Sequence, residues 1–193
     1  MKILIGTSNL GKVSEYKSLL GSHFEPIPLT DLGIRLDVEE TGSTYSDNAL
    51  IKLNFLRKRT KLPIITDDSG LEVEALKGEP GIYSARYSGK NASDDNNIDK
   101  LLLELGSSTN RKAKFVCSIA FSDTLDANNI TFAHGECIGK IITQRMGSGG
   151  FGYDPIFYVE KFGKTLAELS KEEKNSISHR QQAVRNLLKR INI

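Results

Sequence analysis

Short apolar runs alternate with amphipathic segments along this chain of 193 residues. The runs KILIG at residues 2–6 and LPIIT at residues 62–66 predict buried strands, because both are short and continuously apolar. Residues 13–20 place apolar side chains on one helical face, and Gly21 can end that helix. A second amphipathic helix is predicted to begin after Thr44, a good N-cap. Strands that alternate with helices in this way indicate an α/β fold.

The second half of the chain contains longer β-rich segments. Residues 112–123 and 128–142 predict an antiparallel pair of strands joined by DTLDA. A helix is predicted between Ser93, as N-cap, and Gly106, and the last helix begins near Ser178. Shorter strands are predicted at residues 24–29, 71–76 and 156–159. The pattern predicts a single domain over residues 1–193 with a mixed β-sheet flanked by helices.

Composition and charge narrow the class of protein. No apolar run reaches the ~18 residues that a membrane span needs, and MKILIGTSNLGK lacks the apolar core of a signal peptide. The formal net charge of +2 is too small to favour nucleic acid as the main partner. Cys117 and Cys137 lie in apolar contexts and form no CxxC pair, so we expect buried thiols in a cytoplasmic protein.

The segment GTSNLGK at residues 6–12 lies between the first predicted strand and helix. It has the G-x4-G-K spacing of a phosphate-binding P-loop, but Val13 stands where a P-loop has Ser or Thr for magnesium. Backbone N–H groups at a helix N-terminus still favour an anion, and Lys12 adds a positive charge. A plain strand-to-helix turn capped by Asn9 is the alternative.

Carboxylates cluster in DVEETG at residues 37–42 and in TDDSG at residues 66–70. The adjacent Asp67 and Asp68 follow a predicted buried strand, and like charges repel unless a cation lies nearby. Carboxylates placed in this way can bind Mg²⁺ together with substrate phosphates. Solvated turns are the alternative, since Asp, Ser and Gly all favour turns.

Two further segments suggest ligand binding. GSGGFGYDP at residues 147–155 has four glycines in nine residues, which is typical of a turn or of a loop that a ligand approaches closely. KNSISHR at residues 174–180 places Lys174, His179 and Arg180 near a helix start, where cations are unfavourable unless an anionic group compensates them.

Taken together, TSNLGK, EETG with DDSGL, GSGGFGYDP and EEKNSISHR resemble the inosine triphosphate pyrophosphatase family, in the family's order. PGIYSARYSG matches too, and the resemblance covers about residues 2–188. It implies hydrolysis of non-standard purine nucleoside triphosphates such as dITP, ITP and XTP to the monophosphate and pyrophosphate, with Mg²⁺ as cofactor. It also implies an elongated α/β fold with two lobes around a central substrate cleft, usually as a homodimer.

The resemblance implies a role for individual residues. Asp68 would act as base and metal ligand, with Glu40 or its neighbour Glu39 as the second ligand, and Lys12 would stabilise charge. The implied contacts to substrate phosphates are Thr7, Ser8, Asn9, Leu10, Gly11, Lys12, Lys52 and Ser69. The implied contacts to the nucleobase and sugar are Phe151, Gly152, Tyr153, Asp154, Lys174, His179 and Arg180.

Two positions depart from the family pattern. Ser8 stands where the family usually has Gly, and Asp47 stands where Glu is more usual; we expect Asp47 to be harmless. Two other functions remain as alternatives. A P-loop kinase or NTPase would share GTSNLGK, although Val13 argues against it. A nucleotide-binding sensor without catalysis would not need the clustered carboxylates.

Overall fold

The computed structural model describes residues 1–21, 23–123 and 129–193. The strands are β1 Lys2–Ile5, β2 Glu25–Pro28, β3 Ile64–Val73, β4 Lys112–Ser122, β5 Ile130–Ile141, β6 Phe157–Val159 and β7 Lys164–Thr165. The α-helices are α1 Leu10–Leu20, α2 Tyr45–Leu56, α3 Asp94–Leu105, α4 Lys171–Ile177 and α5 His179–Arg190. None of the helices in the described part of the chain is both long and apolar enough to cross a membrane.

The seven strands form one sheet in the order β2-β1-β3-β4-β5-β6-β7. The sheet is mixed, as predicted, because β1 is parallel to both β2 and β3, whereas β6 is antiparallel to β5 and β7. The predicted strands β4 and β5 are neighbours in it. The connector predicted between them, DTLDA, falls almost entirely outside the described residues.

The prediction was wrong for the strand that contains TDDSG. We expected one strand at residues 62–66 and another at residues 71–76, with a turn at TDDSG as one alternative. Instead a single strand, β3, runs unbroken from Ile64 to Val73, Glu74–Leu76 form a 3-10 turn, and both Asp67 and Asp68 are buried within β3. A strand can hold buried carboxylates only where other groups compensate their charge, and those groups are described below with the site.

Helix starts agree with their sequence signals. The Thr44 hydroxyl accepts from Asp47 N, and the Asp47 carboxylate accepts from Thr44 N at 3.0 Å, which forms a complete capping box. The shorter acid at position 47 therefore performs the capping that Glu would. A capping box between Ser170 and Glu173 likewise begins α4, and the S-x-x-E spacing is its sequence signature.

The chain divides into two compact units. Unit 1 contains Met1–Asp68, Cys117–Gly135 and His179–Ile193, and unit 2 contains Ser69–Val116 and Glu136–Ser178. In unit 1 successive strand residues face opposite sides of the sheet, so Ile3 and Ile5 pack with α1 and α5 residues while Leu4 packs with α2 residues. The core of unit 2 is built from one cluster around Leu71, Leu101 and Phe157.

Both cysteines are buried free thiols, as predicted. Cys117 lies in the unit 1 core and Cys137 in the unit 2 core. Burial raises the pKa of the Cys117 thiol to about 12 and that of Cys137 to about 11. A thiol with so high a pKa is a poor nucleophile at neutral pH, so these side chains are core residues of the fold.

Candidate active site

The β1–α1 loop in unit 1 is a capped turn at the start of a helix. It therefore agrees with both interpretations that the sequence left open, the anion site and the plain turn. Asn9 is the N-cap of α1, since its side chain accepts from Lys12 N at 3.0 Å, and Asn9 N donates to Thr7 Oγ1. Gly6 is required by space, because a Cβ there would lie 2.6 Å from Leu56 Cδ1 and from Thr66 Cγ2. The capped turn leaves Ser8, Asn9 and Leu10 exposed at a helix N-terminus, which favours binding of an anion.

Lys12, in the first turn of α1, reaches a buried carboxylate. Its Nζ lies 2.9 Å from Asp67 Oδ2, and Arg180 Nη2 lies 3.2 Å from the same oxygen. Burial by itself would raise the pKa of Asp67, but the charges of Lys12, Arg180 and Lys52 outweigh it and hold this pKa well below its usual range. Asp67 is therefore negatively charged at neutral pH, and it holds the two cations Lys12 and Arg180 in place.

Asp68 lies in a different environment from its neighbour. Its Oδ2 accepts from Asn48 Nδ2 at 3.0 Å, and its Oδ1 lies 3.8 Å from Lys52 Nζ. Burial raises the pKa of Asp68, and the nearby Lys52 and Lys12 charges and the Asn48 hydrogen bond offset this only in part. The charged form of Asp68 is thus under-compensated and would gain from a further cation.

Lys52 connects Asp68 to the acidic loop. Its Nζ lies 2.8 Å from Glu40 Oε1, and although burial would lower its pKa, the charges of Asp68, Asp67 and Glu40 raise it. Glu40 is half-buried against Lys52, whereas Glu39 is exposed. The structure therefore brings Glu40, and not Glu39, to the same ammonium as Asp68.

The carboxylates around Lys52 form a candidate donor set for Mg²⁺. Among the described residues no three His, Cys, Asp or Glu side chains form a ready-made metal cage. Mg²⁺ is commonly held by one or two carboxylates together with substrate phosphates and water. Glu40 and Asp68 place two carboxylates around the buried Lys52 ammonium, and burial raises the pKa of Asp68, so a cation nearby would favour its charged form. These residues fit a magnesium ion that binds with its nucleotide.

KNSISHR does not form one helix start. Lys174 lies in the last turn of α4 in unit 2, while His179 and Arg180 begin α5 in unit 1. We expected an anionic ligand to compensate the cations, but the protein itself compensates Arg180. Its buried guanidinium pairs with Glu15 and Asp67, and it lies 5.8 Å from the Tyr16 ring centre.

Gly135 determines how α5 begins. A Cβ at this position would lie 2.2 Å from the His179 carbonyl oxygen and 2.4 Å from Ala183 N. Only glycine allows the helix backbone to approach strand β5 this closely. The close packing buries His179 along with Arg180.

The glycine-rich segment in unit 2 is organised by Asp154. Its Oδ2 accepts from Phe151 N at 3.0 Å and pairs with Lys174 Nζ at 2.6 Å. A Cβ at Gly150, which has φ +75°, would lie 1.9 Å from that oxygen, so glycine is required there. Lys174 Nζ lies 4.9 Å from the Phe151 ring centre, within reach of a cation–π interaction.

The remaining predicted residues of this segment are also anchored within unit 2. Gly152 N donates to Asp94 Oδ2 at 2.7 Å, and the buried Tyr153 donates its hydroxyl to the Ser84 carbonyl at 2.9 Å. Ser84 belongs to the PGIYSARYSG segment, so this segment helps to anchor the glycine-rich segment. Ser69, half-buried in β3, is the first residue of this unit.

Two polar residues of the site were not identified from the sequence as functional groups: Glu15, which pairs with Arg180, and Asn48, which binds Asp68. Asp67, which the sequence indicated together with Asp68 as a carboxylate that can bind Mg²⁺, pairs with Lys12. One signal was available for Asn48. It lies one helical turn before Lys52, on the face of α2 that also carries the apolar residues, and a polar side chain there needs a partner.

The fold and the site define an α/β protein whose β1–α1 loop, at a helix N-terminus, lies beside a buried carboxylate pair. The chain matches the Ham1 family over residues 3–190 and belongs to that family. It is 49% identical over 187 residues to a dITP/XTP pyrophosphatase of Staphylococcus aureus strain MRSA252, covering 97% of this chain and 94% of the relative. A dITP/XTP pyrophosphatase of Halalkalibacterium halodurans is 47% identical, with 95% of each chain covered.

Solved structures agree with this assignment. The Ham1 protein of Staphylococcus aureus is 46% identical and superposes with a TM-score of 0.87 over 100% of this chain and 98% of its own. A HAM1 protein from Coxiella burnetii, 41% identical, superposes with a TM-score of 0.88 at the same coverage. The family resemblance inferred from the motifs is thus confirmed. These relatives give no support to a P-loop kinase or to a non-catalytic sensor.

Proposed function

We propose that this protein hydrolyses non-standard purine nucleoside triphosphates, namely dITP, ITP and XTP, to the nucleoside monophosphate and pyrophosphate. The observation that carries the proposal is the position of Lys12, which joins the anion-binding loop to the buried Asp67 next to Asp68. The names of the relatives, dITP/XTP pyrophosphatases, agree with it. The activity would remove deaminated purines from the nucleotide pool.

The triphosphate would bind at the β1–α1 loop. Backbone N–H groups at the start of α1 and the Lys12 ammonium face an anion there, and Asp67 keeps that ammonium in place. Lys52 and Ser69 would add contacts to the phosphates. The residues that form the loop itself are Thr7, Ser8, Asn9, Leu10, Gly11 and Lys12.

Glu40 and Asp68 would hold Mg²⁺, which supplies charge neutralisation for the phosphates when it is bound. Asp68 would also orient the attacking water and accept its proton. Burial raises the pKa of Asp68, and a carboxylate with a raised pKa is the stronger base at neutral pH. Lys12 stabilises the charge that develops on the pyrophosphate leaving group.

The nucleobase would stack on Phe151, and Lys174 beside that ring would donate to the oxygen at purine C6. Adenine carries an amino donor at C6 and would leave the ammonium facing another donor. A site built on such a hydrogen bond can reject the mismatched base by up to ~10⁴-fold. His179 and Arg180, with Gly152, Tyr153 and Asp154, would complete nucleotide binding as the family resemblance implies.

The test is a substrate panel. Initial rates of pyrophosphate release are measured for ITP, dITP, XTP, ATP and GTP in the presence of Mg²⁺, and again after chelation with EDTA. We expect release from ITP, dITP and XTP but not from ATP, and only with the metal; GTP shares the oxygen at purine C6, so its rejection would depend on the 2-amino group. Equal turnover of ATP and ITP would contradict the proposal, and so would full activity in EDTA.

We also propose that residues 1–193 act as one catalytic domain and that the protein forms a homodimer in the cytoplasm. These properties follow from the family resemblance. Light scattering coupled to size-exclusion chromatography tests the dimer, for which we expect twice the 21.3 kDa mass of the chain. A mass of one chain would contradict it.

A further inference from the structure

Asn48 joins two parts of the candidate active site that are far apart in sequence. This side chain on α2 is 0% exposed. Its Nδ2 donates to Asp68 Oδ2 at 3.0 Å, and its Oδ1 accepts from Gly42 N at 2.8 Å. One amide therefore connects the acidic loop that carries Glu40 to the buried carboxylate of Asp68.

The orientation of this amide is determined by its partners. A backbone N–H can only donate, so the Asn48 atom that faces Gly42 must be the oxygen. The Asn48 nitrogen must then face Asp68, where it donates. Gly42 is part of the arrangement, because a Cβ at this position would lie 2.7 Å from Asn48 Oδ1 and 2.5 Å from Asp47 Cβ. No other residue type allows the loop to approach α2 so closely without displacement.

Asn48 and Lys52 act from the same face of α2, one turn apart. Asn48 binds Oδ2 of Asp68, whereas Lys52 approaches Oδ1 and also binds Glu40. Two different side chains of α2 therefore contact the two oxygens of Asp68.

We propose that Asn48 is a positioning residue for hydrolysis: it holds Asp68 so that Oδ1 is the oxygen presented to the metal and the water, and it holds the Gly42 backbone so that Glu40 stays beside Lys52. The inference rests on the proposed function of Asp68. It assigns to Asn48 a role in the rate of the chemical step rather than in nucleotide binding, because the β1–α1 loop is untouched by it.

The experiment compares two substitutions at position 48 with matched controls on the same helix. Asn48→Asp keeps an oxygen that can accept from Gly42 N but replaces the donor to Asp68 by a second carboxylate. Asn48→Ala removes both hydrogen bonds. Asn54 is exposed on α2, so Asn54→Asp and Asn54→Ala make the same chemical changes away from the site. Asp68→Asn is measured in parallel.

For each variant we measure kcat and KM for ITP and the unfolding midpoint in urea. For Asn48→Ala we also measure the affinity for Mn²⁺ alone, using the electron paramagnetic resonance signal of the ion. We expect kcat to fall roughly 10²-fold in both Asn48 variants, as for a misplaced catalytic group, with KM within about threefold of wild type. We expect Asn48→Ala to bind Mn²⁺ roughly tenfold more weakly, because Glu40 and Asp68 are no longer held together. The Asn54 variants should match wild type.

Two outcomes overturn the inference and separate it from the proposed function. If Asp68→Asn is inactive but folded Asn48→Asp has wild-type kcat, or loses only substrate affinity, Asn48 does not position Asp68 and the proposed function stands. If Asp68→Asn is fully active, the role of Asp68 fails and the inference fails with it. Should Asn48→Ala not fold, Asn48→Asp decides, because it retains the Gly42 hydrogen bond.

Discussion

Lys12 Nζ lies 2.9 Å from Asp67 Oδ2, and this contact joins the first turn of α1 to the middle of β3, where Asp67 is buried. The same oxygen of Asp67 also binds Arg180 of α5. One carboxylate therefore fixes a lysine in the first turn of α1 and the first turn of the last helix. The pKa of its neighbour Asp68 is instead raised, because burial outweighs the charges of Lys52 and Lys12, and this difference separates the two aspartates.

We expect the two aspartates to respond oppositely to loss of charge. Asp67→Asn leaves the buried Arg180 and the half-buried Lys12 without their shared partner, and breaking a buried ion pair from one side costs about 3–5 kcal/mol in the free energy of unfolding. Asp68→Asn removes a charge that burial disfavours, so stability without metal should be unchanged or higher. Urea unfolding of both variants at pH 7 in EDTA tests this. Equal destabilisation by the two substitutions would contradict it.

The effect of Asp67→Asn should depend on pH. The pKa of Asp67 is lowered in the folded protein, so the folded state binds fewer protons than the unfolded chain in acid. Its stabilisation is therefore complete above the unfolded pKa of about 3.9 and is lost as the pH falls below that value. We expect the difference in free energy of unfolding between wild type and Asp67→Asn to shrink from pH 7 to pH 3. A constant difference would show that the charge of Asp67 is not its cause.

Glu40 and Glu39 provide a matched pair for the metal site. Glu40→Gln removes the carboxylate that lies with Asp68 around Lys52, so the Mg²⁺ concentration for half-maximal activity should rise at least roughly tenfold, as for loss of a metal ligand. Glu39→Gln makes the same change at an exposed neighbour and should leave that concentration unaltered. Magnesium titrations of the two variants decide which carboxylate binds. The reverse ranking would assign the ligand to Glu39.

Phe151 should contribute to affinity but not to discrimination between purines. Phe151→Ala removes a stacking surface, which is worth about 1–3 kcal/mol per base and depends little on base identity. We expect KM to rise about tenfold or more for ITP and XTP alike. Phe151→Tyr keeps the ring and should preserve KM. If Phe151→Ala leaves KM unchanged, the glycine-rich segment is a structural turn rather than a nucleobase loop.

Local signals in the sequence were sufficient for the helix starts. The caps at Asn9, Thr44, Ser93 and Ser170 each involve residues three positions apart, so the sequence contains the whole interaction. The course of β3 through TDDSG could not be predicted in this way. Arg180, which compensates Asp67, lies 113 residues further along the chain, and a local pattern of Asp, Ser and Gly favours a turn until that partner is known.

The candidate site likewise contains residues that the sequence indicated and residues that only the fold reveals. Family motifs indicated Lys12, Glu40, Lys52 and Asp68, and the structure places all four in unit 1. There Lys12 pairs with Asp67, while Glu40 and Asp68 lie around Lys52. Only the fold shows that Glu40 rather than Glu39 lies beside Lys52, because neighbouring loop residues with the same side chain point in different directions. Asn48 was missed since its partner Asp68 lies 20 residues away and its other partner is a backbone N–H.

The central claim is that the bond between the α- and β-phosphates of a non-standard purine nucleotide is cleaved. Phosphorus-31 NMR of a reaction with dITP and Mg²⁺ identifies the products directly, with dATP as the matched substrate and Asp68→Asn as the background. We predict dIMP and pyrophosphate in equal amounts from dITP, with no orthophosphate, and no comparable reaction of dATP. Orthophosphate with dIDP as the first products, or equal consumption of dATP, would contradict the account.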